Sequence, residues 1–132
     1  EVDGTRMRAW HQSAMAGAAV KITYTDLLVK LVAIALQKHP RLNARWKDGA
    51  VLANATIDIC LAIAIPDGLI TPIIRAADSL SITQIAERRL ELIEKAKLNQ
   101  LQLTDVSGGT FTISNLGMYK VDAFSASLEE RL

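Results

Sequence analysis

Apolar residues recur along this chain at two spacings, one helical and one alternating, and the switches between them mark its elements. Over residues 5–16, Met7, Trp10, Ala14 and Met15 fall on one helical face, with Gly17 as a stop. Asp3 is placed to cap that helix, and a strand is expected upstream of it, so the chain is expected to begin inside a domain. Thr23 and Asp26 make a capping arrangement ahead of Leu27, Leu28, Leu31, Ile34, Ala35 and Leu36, which predict a core helix ending before Pro40. Residues 42–46 and 50–53 flank Lys47-Asp48-Gly49, a hairpin signal. In 57–65 every odd position is a large aliphatic, while Cys60, Ala62 and Ala64 are small. That pattern predicts a central strand whose small face lets a helix or a thin ligand lie close.

Pro66-Asp67-Gly68 turns the chain into a second strand over 69–75, where Pro72 cannot donate to a ladder and so interrupts it or puts it at an edge. Ser81 and Gln84 predict a capping box, with Leu80 stapled to Ile85 and a buried stripe of Ile82, Ile85, Leu90 and Ile93. Glu91 and Lys95 form a surface pair, and residues 98–107 read as a polar connection. The chain then reaches Gly108-Gly109-Thr110-Phe111-Thr112-Ile113-Ser114-Asn115-Leu116-Gly117. Alternation there predicts a strand with one hydroxyl face and one apolar face. The order of elements predicts an α/β fold in which helices pack against a mixed sheet.

Composition narrows the picture without naming a function. The 132 residues are 50% hydrophobic and 22% charged, enough for one domain with a core. A net charge of +1, with basic residues scattered, argues against nucleic acid or an anionic membrane as partner. The longest apolar run is far short of the ~20 residues that span a bilayer, and no targeting peptide is visible. The single cysteine, Cys60, allows no internal disulfide and no Cys-rich metal site; it reads as a small buried thiol in a reducing compartment. No metal is implied.

Candidate chemistry centres on Ser114. Its row of hydroxyls could solvate an open sheet, or could aim Ser114 into a cleft to donate to developing negative charge. His11 and His39 read as a packing residue and a helix C-terminal residue. The helix start at 79–81 offers either simple capping or, through Ser81, an anion site. Arg75 and Asp78 are expected to form a local ion pair.

Four stretches together carry a resemblance: Thr23-Tyr24-Thr25-Asp26-Leu27-Leu28-Val29-Lys30; His39-Pro40-Arg41-Leu42-Asn43-Ala44-Arg45-Trp46; Pro66-Asp67-Gly68-Leu69 with Pro72 and Arg75; and 108–117 followed by Met118-Tyr119 and Val121-Asp122-Ala123-Phe124. In this order they resemble the dihydrolipoyl acyltransferase catalytic domain of the 2-oxo acid dehydrogenase complexes, over residues 1–126. The resemblance implies a chloramphenicol acetyltransferase-like α/β fold, a two-layer sandwich of mixed sheet and helices. It implies homotrimers building a larger multienzyme core, in the cytoplasm or the mitochondrial matrix. The implied reaction moves an acyl group between the dihydrolipoyl arm of a lipoyl domain and coenzyme A, alongside the other dehydrogenase-complex components.

Carried over by motif, the oxyanion-stabilising hydroxyl of the family is Ser114. Asn115 and Ser125, near Ser114 in sequence, are candidates to line the tunnel for the pantetheine or lipoyl arm, and Ser81 to meet a phosphate, with a structural role the equal alternative for each. The family's base lies in a His-x-x-x-Asp-Gly motif that these residues do not contain, and neither His11 nor His39 has that context. Residues 127–132 resemble the end of a final helix. The chain is therefore expected to be a single incomplete catalytic domain, inactive alone. The alternatives are a catalytically silent scaffold of the same core and a stand-alone acetyltransferase for a small molecule.

Overall fold

A computed structural model describes residues 2–117 and 119–124. Ser125 and the expected helix end at 127–132 lie outside the described residues. Helix α1 (Thr5–Met15) starts after Asp3, whose carboxylate accepts from the Thr5 hydroxyl (2.7 Å) and amide (2.9 Å). Helix α2 (Tyr24–Lys38) opens on a complete capping box, with the Thr23 amide donating to Asp26 Oδ2 at 2.8 Å and the Asp26 amide to Thr23 Oγ1 at 3.4 Å. Strands β1 (Ala44–Lys47) and β2 (Ala50–Ala53) form the expected hairpin. Its two-residue turn, Asp48-Gly49, has φ of 50° and 77°, the mirror-image turn that suits strand twist. The hairpin stands away from the core, with Trp46 72% exposed.

The sheet is organised by β3 (Ile59–Ile65). On one side it pairs antiparallel with β4 (Gly68–Ile70) and β5 (Ile73–Ile74), which share a single register with it: Ile63 opposite Ile70, Cys60 opposite Ile73. Thr71 and Pro72 therefore interrupt one strand without shifting it, because proline lacks the ladder donor. On the other side β6 (Phe111–Ser114) runs parallel to β3, with Cys60 beside Thr112 and Ala62 beside Ser114. Ile57 and Asp58, predicted to belong to the central strand, precede it.

One face of this sheet makes the main core. Ile59, Leu61 and Ile74 are buried there, with Ile63 and Ile113 packed alongside, against Val29, Ala33 and Leu36 of α2 and Ile85 and Leu92 of α3 (Ile82–Lys97). Each fully buried Ile or Leu contributes about 1.5–3 kcal/mol. A second cluster joins Ile22, Leu27 and Ala86 to Met7, Trp10 and Ala14, laying α1 across α2 and α3.

Both helices are rotated from the predicted stripes. In α2, Leu31 is 43% exposed and Ala35 also faces outward, while Val29 and Ala33 face the sheet. In α3, Leu90 is 41% exposed whereas Ala86 and Leu92 are buried. An ion pair sets this rotation. Arg89 Nε lies 2.7 Å from Asp26 Oδ1, and Asp26 is fully buried. Presenting Arg89 and Ile85 to α2 turns Leu90 outward by about 100°. The Ser81–Gln84 capping box forms as expected, and the Glu91–Lys95 pair closes at 3.2 Å. The connection after α3 is not irregular throughout, since Leu103–Val106 forms a short helix, α4, capped by Gln102 and Asp105.

Candidate functional site

The predicted hydroxyl row exists, and its three members meet different surroundings. Thr110 is tied to Asp58: its Oγ1 accepts from the Asp58 amide at 3.0 Å, and its own amide donates to the Asp58 carbonyl at 2.8 Å. Thr112 lies beside the Cys60 thiol. Ser114, half-buried at the C-terminal end of β6, has no hydrogen-bond partner for its hydroxyl among the described residues. It shares the sheet face opposite the core with Cys60, Ala62 and Thr112, a consequence of the parallel register. Ala62 beside it is small and, like Ser114, only partly buried.

The glycine pair ahead of β6 is required twice over. Gly108, with φ of 85°, lies over the Arg75 guanidinium, which a Cβ would meet at 3.8 Å. Gly109 lies directly on Cys60, leaving no room for a side chain. Burial pushes the Cys60 thiol up from its ordinary pKa, opposed by the Thr112 hydroxyl and the Arg75 charge, so it stays a neutral thiol near pH 7.

Asp58, 6% exposed, is the hub behind this strand. Its Oδ1 accepts from the Ala76 amide (2.8 Å), and its Oδ2 accepts from Thr56 Oγ1 (2.8 Å) and sits 3.7 Å from Arg75. Arg75 in turn donates to the carbonyls of Thr104 (2.7 Å) and Ser107 (2.6 Å). The predicted Arg75–Asp78 pair is thus replaced. The left-handed backbone at Ala76, φ 48°, lies between the two residues, and the Asp58 carboxylate takes the guanidinium instead. Asp58 and Thr110 were not singled out from the sequence; an acid inside a long apolar run was the available signal.

The remaining candidates are dispersed. The Asn115 amide is used at both ends: Nδ2 donates to Thr25 Oγ1 (3.3 Å) and Oδ1 accepts from the Gly117 amide (2.8 Å). It braces the end of β6 against the first turn of α2. Ser81 Oγ accepts from the Gln84 amide at 3.2 Å, and Lys30 donates to the neighbouring carbonyls of Asp78 and Leu80. No contact joins Ser81 to Ser114 among the described residues. His11 bonds the Ile22 carbonyl at 2.7 Å and stacks on Tyr24, as a packing residue would. His39 caps the opposite end of α2 from Asn115, about 20 Å along the helix.

Comparison with known proteins gives a consistent answer. The chain is 44% identical over 108 residues to the Arabidopsis thaliana chloroplastic protein named dihydrolipoyllysine-residue acetyltransferase component 5 of pyruvate dehydrogenase complex, covering 81% of this chain and 23% of that one. It is 40% identical over 114 residues to the mitochondrial acetyltransferase component from Schizosaccharomyces pombe, covering 86% of this chain and 24% of that one. Among solved structures, the Azotobacter vinelandii dihydrolipoamide acetyltransferase superposes with a TM-score of 0.89 at 34% identity, over 96% of this chain and 54% of that one. That structure was used to examine a serine, a histidine and an asparagine in the catalytic mechanism of the enzyme. A cubic core of the pyruvate dehydrogenase multienzyme complex matches with a TM-score of 0.90 at 34% identity, over the same shares of the two chains. The likeness establishes the chloramphenicol acetyltransferase-like α/β architecture of these acyltransferase cores. The chain spans about a quarter of the curated relatives and just over half of the solved chains. The family model described as 2-oxoacid dehydrogenases acyltransferase (catalytic domain) matches residues 1–131, and the chain belongs to that family.

Proposed function

We propose that this chain carries the oxyanion-binding half of an acyl-transfer site, moving an acetyl group between a dihydrolipoyl arm and coenzyme A in a 2-oxo acid dehydrogenase core. The observation that carries the reading is Ser114: a hydroxyl without a hydrogen-bond partner among the described residues, at the end of a parallel strand, on the sheet face opposite the core of a chain in this family. In the reaction, a base removes the thiol proton and the thiolate sulfur bonds to the thioester carbonyl carbon. The carbonyl π electrons move to oxygen, and the Ser114 hydroxyl donates to that oxyanion. Collapse then breaks the original C–S bond, and the departing thiolate takes the proton back.

The 132 residues hold no His-x-x-x-Asp-Gly, so the base is assigned to residues outside them. Assembly as homotrimers in a larger core, service by a lipoyl domain, arm-lining roles for Asn115 and Ser125 and a phosphate contact for Ser81 belong to the same proposal, as does a cytoplasmic or mitochondrial matrix location. The test is Ser114→Ala in the full-length gene product, assayed with dihydrolipoamide and acetyl-CoA. The expected result is a kcat lower by about 100 to 1000-fold with KM little changed. Unchanged turnover refutes the assignment. Wild-type protein that sediments as a large particle without turnover would instead identify a silent scaffold.

A further inference from the structure

We propose that Arg75 and Asp58 form a positioning clamp for Ser114, an inference that rests on the acyl-transfer reading. An oxyanion donor works only when fixed where charge develops, and a misplacement of about 1 Å can cost 100-fold. Ser114 is fixed by the register of β6, a strand of four residues that pairs only with β3 among the described residues. Ile113, packed against the core, opposes a one-residue slip of this short ladder but not a two-residue one.

The register is also set one residue before the ladder begins. The Asp58 carbonyl accepts from both the Thr110 and the Phe111 amides, at 2.8 and 3.3 Å, and the Thr110 hydroxyl bonds the Asp58 amide. A slip of β6 breaks all three. The Asp58 carboxylate is locked by Thr56, Ala76 and Arg75, so its backbone cannot follow a slipping strand. Arg75 closes the device from the other side. By holding the Thr104 and Ser107 carbonyls it anchors the segment that delivers Gly108 to the sheet, and Gly108 lies over the same guanidinium. Arg75 thus joins the start of β3 to the start of β6 and acts on Ser114 through the strand, without touching the reacting atoms.

Cys60 reports on the clamp independently of activity, because Gly109 covers its sulfur. The experiment uses Arg75→Met and Arg75→Lys in the full-length protein; the Arg75 side chain is 47% exposed, and without it the Asp58 carboxylate keeps the Thr56 hydroxyl and the Ala76 amide. Peptide-resolved alkylation of Cys60 is expected to quicken at least about 10-fold in Arg75→Met, which has no donor for the two carbonyls and the carboxylate, and by less in Arg75→Lys, whose ammonium can donate to them but lacks the planar fork. kcat is expected to fall about 10 to 100-fold, with KM for both substrates within about twofold. In a Ser114→Ala background Arg75→Met should lower kcat little further, since there is no donor left to misplace. A merely structural role would not produce that non-additivity.

Unchanged Cys60 labelling overturns the clamp. So does an Arg75→Met loss that persists in full beside Ser114→Ala, or one carried by KM. A wild-type protein that transfers no acyl group overturns the functional reading instead, and the clamp on β6 is then decided by Cys60 labelling alone.

Discussion

Replacing Gly109 with alanine asks whether β6 sits at a distance that only glycine permits. A Cβ at position 109 would fall 1.9 Å from the Cys60 sulfur and 3.5 Å from two carbons of Ile73. The second contact is ordinary, while the first is about 1.5 Å short of one. Overpacking of this kind costs about 1–3 kcal/mol. The Gly109 backbone lies outside the left-handed region, so alanine adds no torsional strain there and recovers about 0.4–1 kcal/mol by restricting the unfolded chain. The net expectation is a loss of about 1–2 kcal/mol.

Removing the sulfur should reverse the sign. In a Cys60→Ala background, Gly109→Ala is expected to be neutral or stabilising by about 0.4–1 kcal/mol. Urea unfolding of the wild type, both single variants and the double variant measures the coupling directly, expected at about 1–3 kcal/mol. The same cost in both backgrounds, or no cost in either, would refute the close approach of β6 to Cys60.

Two further outcomes follow from the buried groups. Arg89→Met leaves Asp26 fully buried and short of its main partner, and should cost about 3–5 kcal/mol in denaturant unfolding; a loss below about 1 kcal/mol would contradict the pairing. Cys60 is held as the neutral thiol by burial, so its contribution to stability is complete below the unfolded-state thiol pKa near ~8.5 and is lost as pH rises toward the higher folded value. The wild-type urea midpoint should therefore fall faster than that of Cys60→Ala between about pH 8 and 10, and parallel curves would argue against a buried thiol there.

Much of the architecture is local in origin, and for that reason it was readable. The Thr23–Asp26 and Ser81–Gln84 boxes, the Asp48-Gly49 turn and the interruption at Pro72 depend on residues within four positions of one another. The alternation in 110–114 also survived, with Ile113 turned to the core and Ser114 to the opposite face. Helix rotation was not readable. Apolar residues surround so much of α2 that periodicity alone does not choose between Leu31 and Val29, and in α3 the choice depended on a partner 63 residues away, Asp26. α4 was missed because a four-residue helix carries too little pattern.

What the sequence determined by itself was most of the elements, their order and the family motifs, since each is written in neighbouring residues. Only the tertiary structure decided what meets at the start of β6, the strand that ends in Ser114. Asp58 meets Thr110 across 52 residues and Arg75 meets Ser107 across 32, and bonds between groups so far apart leave no period or motif in the chain. They exist because the sheet brings the start of β3, the end of β5 and the start of β6 to one point, where a buried carboxylate must find every donor within reach.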